Sequence, residues 1–292
     1  MSAYRLIDVE KTNYSVSILC KVLKVSRSGY YAWRDRPPSK RTKENAALTE
    51  RIREVHHTSR GTYGYPRVHA ELRALGVRCS RKRVARLMRK DGLRGCMRER
   101  RRKHTTRQDP LAVPAPDLVE RNFVAVAPNK LWTADVTYLP TDEGFLYLAF
   151  ILDVYSRKVV GWSMANHLRS ELVAATLQMA ICRRNPSAGL IHHSDRGVQY
   201  TALSFGRKLE EAGIVPSMSR VGSALDNAIS ESFVSTLKSE IGVSRYPTRQ
   251  AARESVFEFI ELFYNRVRRH SSLGYLSPAE YEEVILKEAA VA

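Results

Sequence analysis

Apolar residues recur at helical spacing through the first third of the chain and give way after it to runs rich in β-branched and aromatic residues. Val16, Leu19, Cys20 and Leu23 share one helical face, the pattern breaks over Val25-Ser-Arg-Ser-Gly29, and Tyr30, Tyr31 and Trp33 resume it. Two short helices joined by a tight turn are predicted. A second unit begins near Lys43 with Leu48, Ile52 and Val55 on one face, continues through Val68, Leu72 and Leu75, and stops at Gly76. Ser80 is then placed to N-cap a helix over residues 81–90, in which Val84, Leu87 and Met88 turn inward. Arg81, Lys82, Arg83, Arg86, Arg89 and Lys90 are left outside, and Gly92 closes the helix. Beyond Lys103, prolines at 110, 114, 116 and 128 with little periodicity predict a linker.

From Lys130 the period changes. Residues 132–139, 145–153 and 158–164 are rich in β-branched and aromatic side chains, with Thr141-Asp-Glu-Gly144 as a turn, and predict a three-stranded meander. Ser170 is expected to N-cap a helix to about residue 182, buried along Leu172, Val173, Thr176, Leu177 and Ala180. A strand at 190–192, a helix at 203–212 ended by Gly213, a strand at 214–218 and a helix through Glu231 follow. The expected fold is a mixed five-stranded sheet covered by helices.

Charge divides the same way. Residues 1–110 hold 29 Lys and Arg against 10 Asp and Glu, whereas residues 111–292 hold 19 against 20, so the excess of +18 lies in the helical third. It is densest over residues 78–107, including Arg98-Glu-Arg-Arg-Arg-Lys103. A basic segment of this kind releases condensed counterions on a polyanion, so nucleic-acid binding is favoured over a merely solvated face. Helix, turn and basic helix is also the layout of a helix-turn-helix. Tyr63-Gly-Tyr-Pro-Arg67 between the helices reads as a turn with aromatic packing. The four cysteines form no C-x-x-C pair, which argues against zinc ribbons and disulfide frameworks, and no apolar run approaches the length of a membrane span. A cytoplasmic, nucleoid-associated protein is expected.

Three acids stand out on this scaffold. Asp135 lies within the first strand of the meander, Asp195 just beyond the fourth strand, and Glu231 near the start of the helix after the fifth. Carboxyl ends of strands are where open α/β sheets assemble sites. Magnesium prefers hard oxygen ligands and keeps several waters, so two or three carboxylates from separate elements suit it, and a pair of such ions can clamp an in-line phosphoryl transfer. Each acid alone reads more readily as a cap or loop hydrogen bonder; the combination with the surrounding words reverses that.

Those words are Trp132-Thr-Ala-Asp-Val-Thr-Tyr138, His193-Ser-Asp-Arg-Gly-Val-Gln-Tyr200, Asp226-Asn-Ala-Ile-Ser-Glu-Ser-Phe233 running on to Glu240, and Tyr264-Asn-Arg-Val-Arg-Arg-His270 running on to Glu280. With 35 residues between Asp195 and Glu231, they resemble the second-reading-frame transposases of insertion sequences of the IS-three type. The resemblance covers residues 43–283. It implies a ribonuclease-H-like integrase core with Asp135, Asp195 and Glu231 as metal-binding catalytic acids, Mg2+ or Mn2+ as cofactor with two ions, and DNA cleavage at element ends followed by 3′-hydroxyl strand transfer. Lys238, seven residues after Glu231 and on its helical face, matches the family's basic residue near the scissile phosphate. Asn227, one turn before Glu231, would orient that acid or a phosphate. Implied partners are element terminal repeats and target DNA, further copies of the chain on DNA, and an upstream-frame product as a fusion or partner. That last partner is implied by the resemblance, since family members often act as such a fusion, and this chain, which starts at its own methionine and lacks a long heptad repeat, is then expected to be part of the active enzyme.

The expected layout is a helical segment over 1–40, a basic helix-turn-helix domain over 41–103, a linker over 104–129, the catalytic core over 130–245 and a helical extension over 246–292. Ala134 stands where many integrase-like cores have threonine, and no His-His-Cys-Cys module is present. His192 and His193 read as packing groups, since neighbours on a strand face opposite ways. Asp153 is expected to pair with Arg157. An amphipathic helix is expected over 253–264; after it, Arg266, Arg268, Arg269 and His270 face either DNA or the body of the core, and the sequence leaves both open. Two other functions stand beside the transposase: a DNA-binding regulator whose core is inactive, which the intact triad argues against, and a ribonuclease-H-like nuclease without strand transfer.

Overall fold

The computed structural model describes residues 2–96, 115–219 and 228–291, with side chains to residue 288. The basic run over 98–103, residues 104–114 of the predicted linker and Asn227 lie outside the described residues. The chain divides into two compact units, residues 1–53 and 54–292.

The first unit opens with α1 (Ala3–Glu10), α2 (Val16–Val22) and α3 (Arg27–Arg34). Ser2, Ser15 and Ser26 each N-cap a helix by accepting a hydrogen bond from a backbone N–H three residues on, an arrangement worth about 1 kcal/mol per cap. Ile7, Cys20 and Tyr30 form its buried centre, ringed by Tyr4, Leu19 and Trp33. The periodicity reading had found α2 and α3 but not α1, which buries Ile7 alone. Next comes α4 (Lys40–Thr58), whose Leu48, Ile52 and Val55 are buried.

In the second unit α5 (Tyr65–Ala74) and α6 (Arg81–Lys90) form the helix-turn-helix pair. The Ser80 hydroxyl accepts from the Arg83 N–H as expected, and Val84, Leu87 and Met88 are buried. Leu75, expected inside, is exposed, because α5 ends at Ala74 and the chain turns out before Gly76.

The sheet has strand order β3-β2-β1-β4-β5, made of β1 (Leu131–Thr141), β2 (Gly144–Asp153), β3 (Val159–Ala165), β4 (Ile191–Ser194) and β5 (Val215–Met218). The meander strands pair antiparallel, β4 lies parallel to β1, and β5 lies parallel to β4. This is the expected mixed sheet of a ribonuclease-H-like core. On one face Trp132, Ala134, Ala149 and Ile151 pack with Leu172, Val173 and Leu177 of α7 (Ser170–Arg184) and with Phe205 and Leu209 of α8 (Leu203–Glu211). Gly161 lets α7 sit directly on β3: a Cβ there would lie 2.5 Å from the Thr176 carbonyl oxygen and 2.8 Å from the Ala180 methyl. Ser170 does not cap α7. The helix begins with it, and Arg169 occupies the cap position without a side-chain hydrogen bond.

The other face receives α9 (Ala228–Ile241), where Phe233 packs on Phe150 of β2 at 4.6 Å between ring centroids and on Tyr264 at 4.9 Å. The helix expected over 253–264 is α10 (Arg249–Phe257) followed by a π-helical stretch, Glu258–Tyr264, and α11 (Pro278–Val291) ends the chain. Asn265 clips this extension to the sheet, accepting from the Val159 N–H (2.9 Å) and donating to the Val159 carbonyl (3.0 Å). Among the described residues no helix is long and apolar enough to cross a membrane.

Candidate active site

Asp135 sits in the middle of β1, opposite Phe150 of β2. Thr133, two residues earlier on the same face, shares a hydroxyl hydrogen bond of 2.9 Å with Ser230. That bond pins the first turn of α9 to β1, and Glu231 is the next residue. Asp195 follows the last residue of β4, which runs parallel beside β1. Its Oδ1 accepts from the Gly197 N–H at 3.0 Å, folding the loop into a tight turn around the carboxylate. Tyr200, at the end of that loop, is buried against Phe205 and His192. The three acids thus come from a strand centre, a strand end and a helix start on adjacent elements.

Their electrostatics are coupled. Burial pushes the Asp135 carboxyl up to about 7, and the negative charges of Asp195 and Glu231 push it the same way. Opposing them are a 2.7 Å hydrogen bond from the Val136 N–H and the positive charge of Lys238. Three carboxylates stand in mutual electrostatic reach, and one of them is held from ionising freely. Hard oxygen donors of that kind fit a divalent cation. As they stand, no group of three or more His, Cys, Asp or Glu side chains among the described residues is gathered closely enough to hold a metal ion.

Lys238 lies near the end of α9, almost two turns beyond Glu231, with Nζ 4.8 Å from the centroid of the Tyr138 ring. It therefore spans from the acids to the outer half of β1. On α6, Arg81, Lys82, Arg86, Arg89 and Lys90 are exposed; Arg83, expected outside, is half-buried because it lies beside the buried Val84 row.

Neither histidine of the second word joins the acids. Burial drives His192 down to about 4, so its ring stays neutral among Tyr200 and Phe205, while His193 Nδ1 lies 2.9 Å from the Ser217 hydroxyl. Asp153 is opposite Trp132, and its carboxylate accepts from the N–H groups of Asn129 (2.7 Å), Tyr155 (2.9 Å) and Ser156 (3.3 Å). Its ion-pair partner is Arg184 at 3.7 Å rather than Arg157, which adopts a left-handed turn and gives Asp153 only a backbone bond. Arg268, Arg269 and His270 are buried in the body of the core, and Arg266 is exposed. Glu240, on α9 beyond Lys238, proves to be the partner of Arg268. It closes the third sequence word, where its signal is an acid on the face of that helix opposite Glu231.

Known proteins match in the same places. An integrase core domain model matches residues 125–224, a second integrase core domain model residues 212–278, and an HTH-like domain model residues 43–102. The "Insertion element IS600 uncharacterized 31 kDa protein" of Shigella sonnei is 43% identical over 93% of this chain and 100% of its own length. The transposase for insertion sequence element IS904 of Lactococcus lactis is 41% identical over 85% and 98%, and transposase InsF for IS3A of Escherichia coli 39% identical over 96% and 98%. With identity at this level along nearly the whole of both chains, this protein belongs to the IS3-type insertion-sequence transposases, DNA-transposing enzymes with a helix-turn-helix region and an integrase-type DDE core.

Proposed function

We propose that Asp135, Asp195 and Glu231 are the catalytic acids and hold Mg2+ or Mn2+, with room in their charge for two ions. The observation that carries this is the Asp135 carboxyl raised to about 7 by burial and by its two acidic neighbours. Bound there, divalent cations supply Lewis acidity toward a phosphodiester and its attacking oxygen. The chain's own groups do the rest. Thr133 and Ser230 fix the helix that bears Glu231, and the turn closed by Gly197 fixes the Asp195 carboxylate. Lys238 holds the phosphate beside the reacting one, its charge directed to the same acids. Arg81, Lys82, Arg86, Arg89 and Lys90, with Arg83 at their flank, grip the DNA backbone.

The reaction in this reading is cleavage at the element's terminal repeats, releasing a 3′-hydroxyl, and attack of that hydroxyl on a target phosphodiester, with no covalent protein intermediate. Copies of the chain assemble on DNA, and an upstream-frame product joins as fusion or partner. Asn227 belongs to the same reading as the residue orienting Glu231. The test is strand cleavage and transfer on labelled element ends by Asp135→Asn, Asp195→Asn and Glu231→Gln. Loss of both steps with end binding intact is expected; cleavage surviving in all three overturns the assignment.

A further inference from the structure

Glu240 occupies the last turn of α9, nine residues after Glu231 and two after Lys238. At 100° per residue, Glu231 and Lys238 share a face and Glu240 lies half a turn away, behind them. Its carboxylate is buried and met fork-to-fork by Arg268, with Nε to Oε2 and Nη2 to Oε1 both 2.7 Å. Arg67 of α5 adds a second cation at 3.6 Å. Arg268 in turn lies over the Tyr264 ring and 3.4 Å from His270 Nε2.

The surrounding bonds run between the same three segments. Tyr63, just before α5, accepts from the Arg269 N–H (2.7 Å) and donates to the Val267 carbonyl (3.2 Å). Arg269 pairs with Glu71 of α5. The Cys96 thiol donates to the Ser239 carbonyl at 2.9 Å. Gly95 lets the same segment pass close to the turn before α5, since a Cβ there would lie 2.4 Å from the Gly64 nitrogen. A bidentate Arg–carboxylate pair fixes direction as well as distance, so this cluster resists rotation of α9 about its axis.

We infer that Glu240 is a positioning residue: with Arg268 and Arg67 it locks the rotation of α9 from behind, aims Glu231 and Lys238 at the site, and ties that aim to the helix-turn-helix pair. The Thr133–Ser230 bond holds the helix at its start, Phe233 holds its middle, and Glu240 holds its end. A helix fixed at both ends presents its two functional side chains in one orientation. This inference rests on the reading of Glu231 and Lys238 given above.

The test uses the full chain, labelled element-end duplex and Mg2+, with two readouts: end-cleavage rate, and the Mg2+ concentration giving half of the metal-induced rise in Tm. Glu240→Gln should lose roughly tenfold or more in rate and need several-fold more Mg2+, the scale on which displaced supporting residues act, while end-DNA affinity stays within about twofold. Glu240→Asp, which keeps the charge, should recover part of both. Unchanged rate and Mg2+ response in a folded Glu240→Gln overturns the inference, and so does a loss that follows unfolding with the Mg2+ response unaltered. If Glu240→Gln does not fold, Arg67→Met, which leaves the Arg268 pair in place, should shift both readouts by about two- to threefold, as for a partly exposed ion pair, and no shift overturns it. Cleavage persisting in Asp135→Asn marks failure of the underlying reading, whereas loss there beside an indifferent Glu240 marks failure of this one.

Discussion

Acids gather in two parts of this core and are treated in opposite ways. Behind the sheet, Glu282 accepts from Lys158 Nζ at 2.7 Å and from Arg184 at 2.8 and 3.0 Å, and Arg184 also reaches Asp153. Burial alone would push the Glu282 carboxyl up; the bonds from Arg184 and Lys158 carry it below the usual range. At the active site, burial also pushes Asp135 up, but its neighbours are two more acids, and one lysine does not reverse them. A fold that seals Glu282 and Glu240 with arginines has the means to neutralise an acid. At Asp135 the nearest acidic neighbours raise the carboxyl instead of sealing it, which reserves its neutralisation for a cation that arrives from outside.

The contrast breaks most sharply in activity. Asp135→Asn should reduce end cleavage about a thousandfold or more, because the group removed acts on the charge that develops in the transition state. Glu282→Gln should leave the rate per folded molecule unchanged in the same gel assay. Equal losses in the two variants would erase the distinction between reserved and sealed acids.

Stability should run the other way. Glu282→Gln strands Arg184 and Lys158 beside each other in a largely buried site and should cost about 2–4 kcal/mol in denaturant unfolding, near the range for breaking a buried pair. Asp135→Asn should stabilise the metal-free protein. Because the folded pKa of Asp135 is about 7 and the unfolded one near 3.8, its contribution is fully present below about pH 4 and is lost as pH rises through 7. Metal-free parent should therefore lose on the order of 2–3 kcal/mol between pH 5 and 8 relative to Asp135→Asn, and Mg2+ should flatten the parent's profile. Identical pH profiles for the two proteins would show that the three acids do not burden the fold.

How far the sequence exposed this contrast depends on which charges are local. The β-branched and aromatic runs of β1 and β2, the Ser80 cap and the places of Asp135, Asp195 and Glu231 on strand, strand end and helix start follow from short-range pattern, and the elements lie there. The partners of the sealed acids do not. Asp153 was assigned to Arg157 four residues on, yet Arg184, 31 residues on, is its ion-pair partner, and Glu240 meets Arg268 across 28 residues. Pairing at such separations is fixed by where helices dock, which no window of neighbouring residues contains. The arginines of the last word were undecided for the same reason: Arg266 and Arg268 are two residues apart, one exposed and one sealed.

That last point gives the smallest and most discriminating effect, since it separates arginines by surroundings rather than by charge. On α6, Arg86 and Arg89 are exposed and flank no buried acid in their own helix, so each is available to a phosphate. A phosphate contact releases close to one counterion, so Arg86→Gln and Arg89→Gln should each reduce the slope of log affinity against log salt by about 1, weakening element-end and unrelated duplexes alike. Arg268→Gln removes the same formal charge from a guanidinium already neutralised by Glu240. It should lower unfolding stability while leaving the salt slope of DNA binding where it was. If Arg268→Gln changes the slope as much as Arg86→Gln does, its charge is felt by DNA, and Glu240 does not seal it.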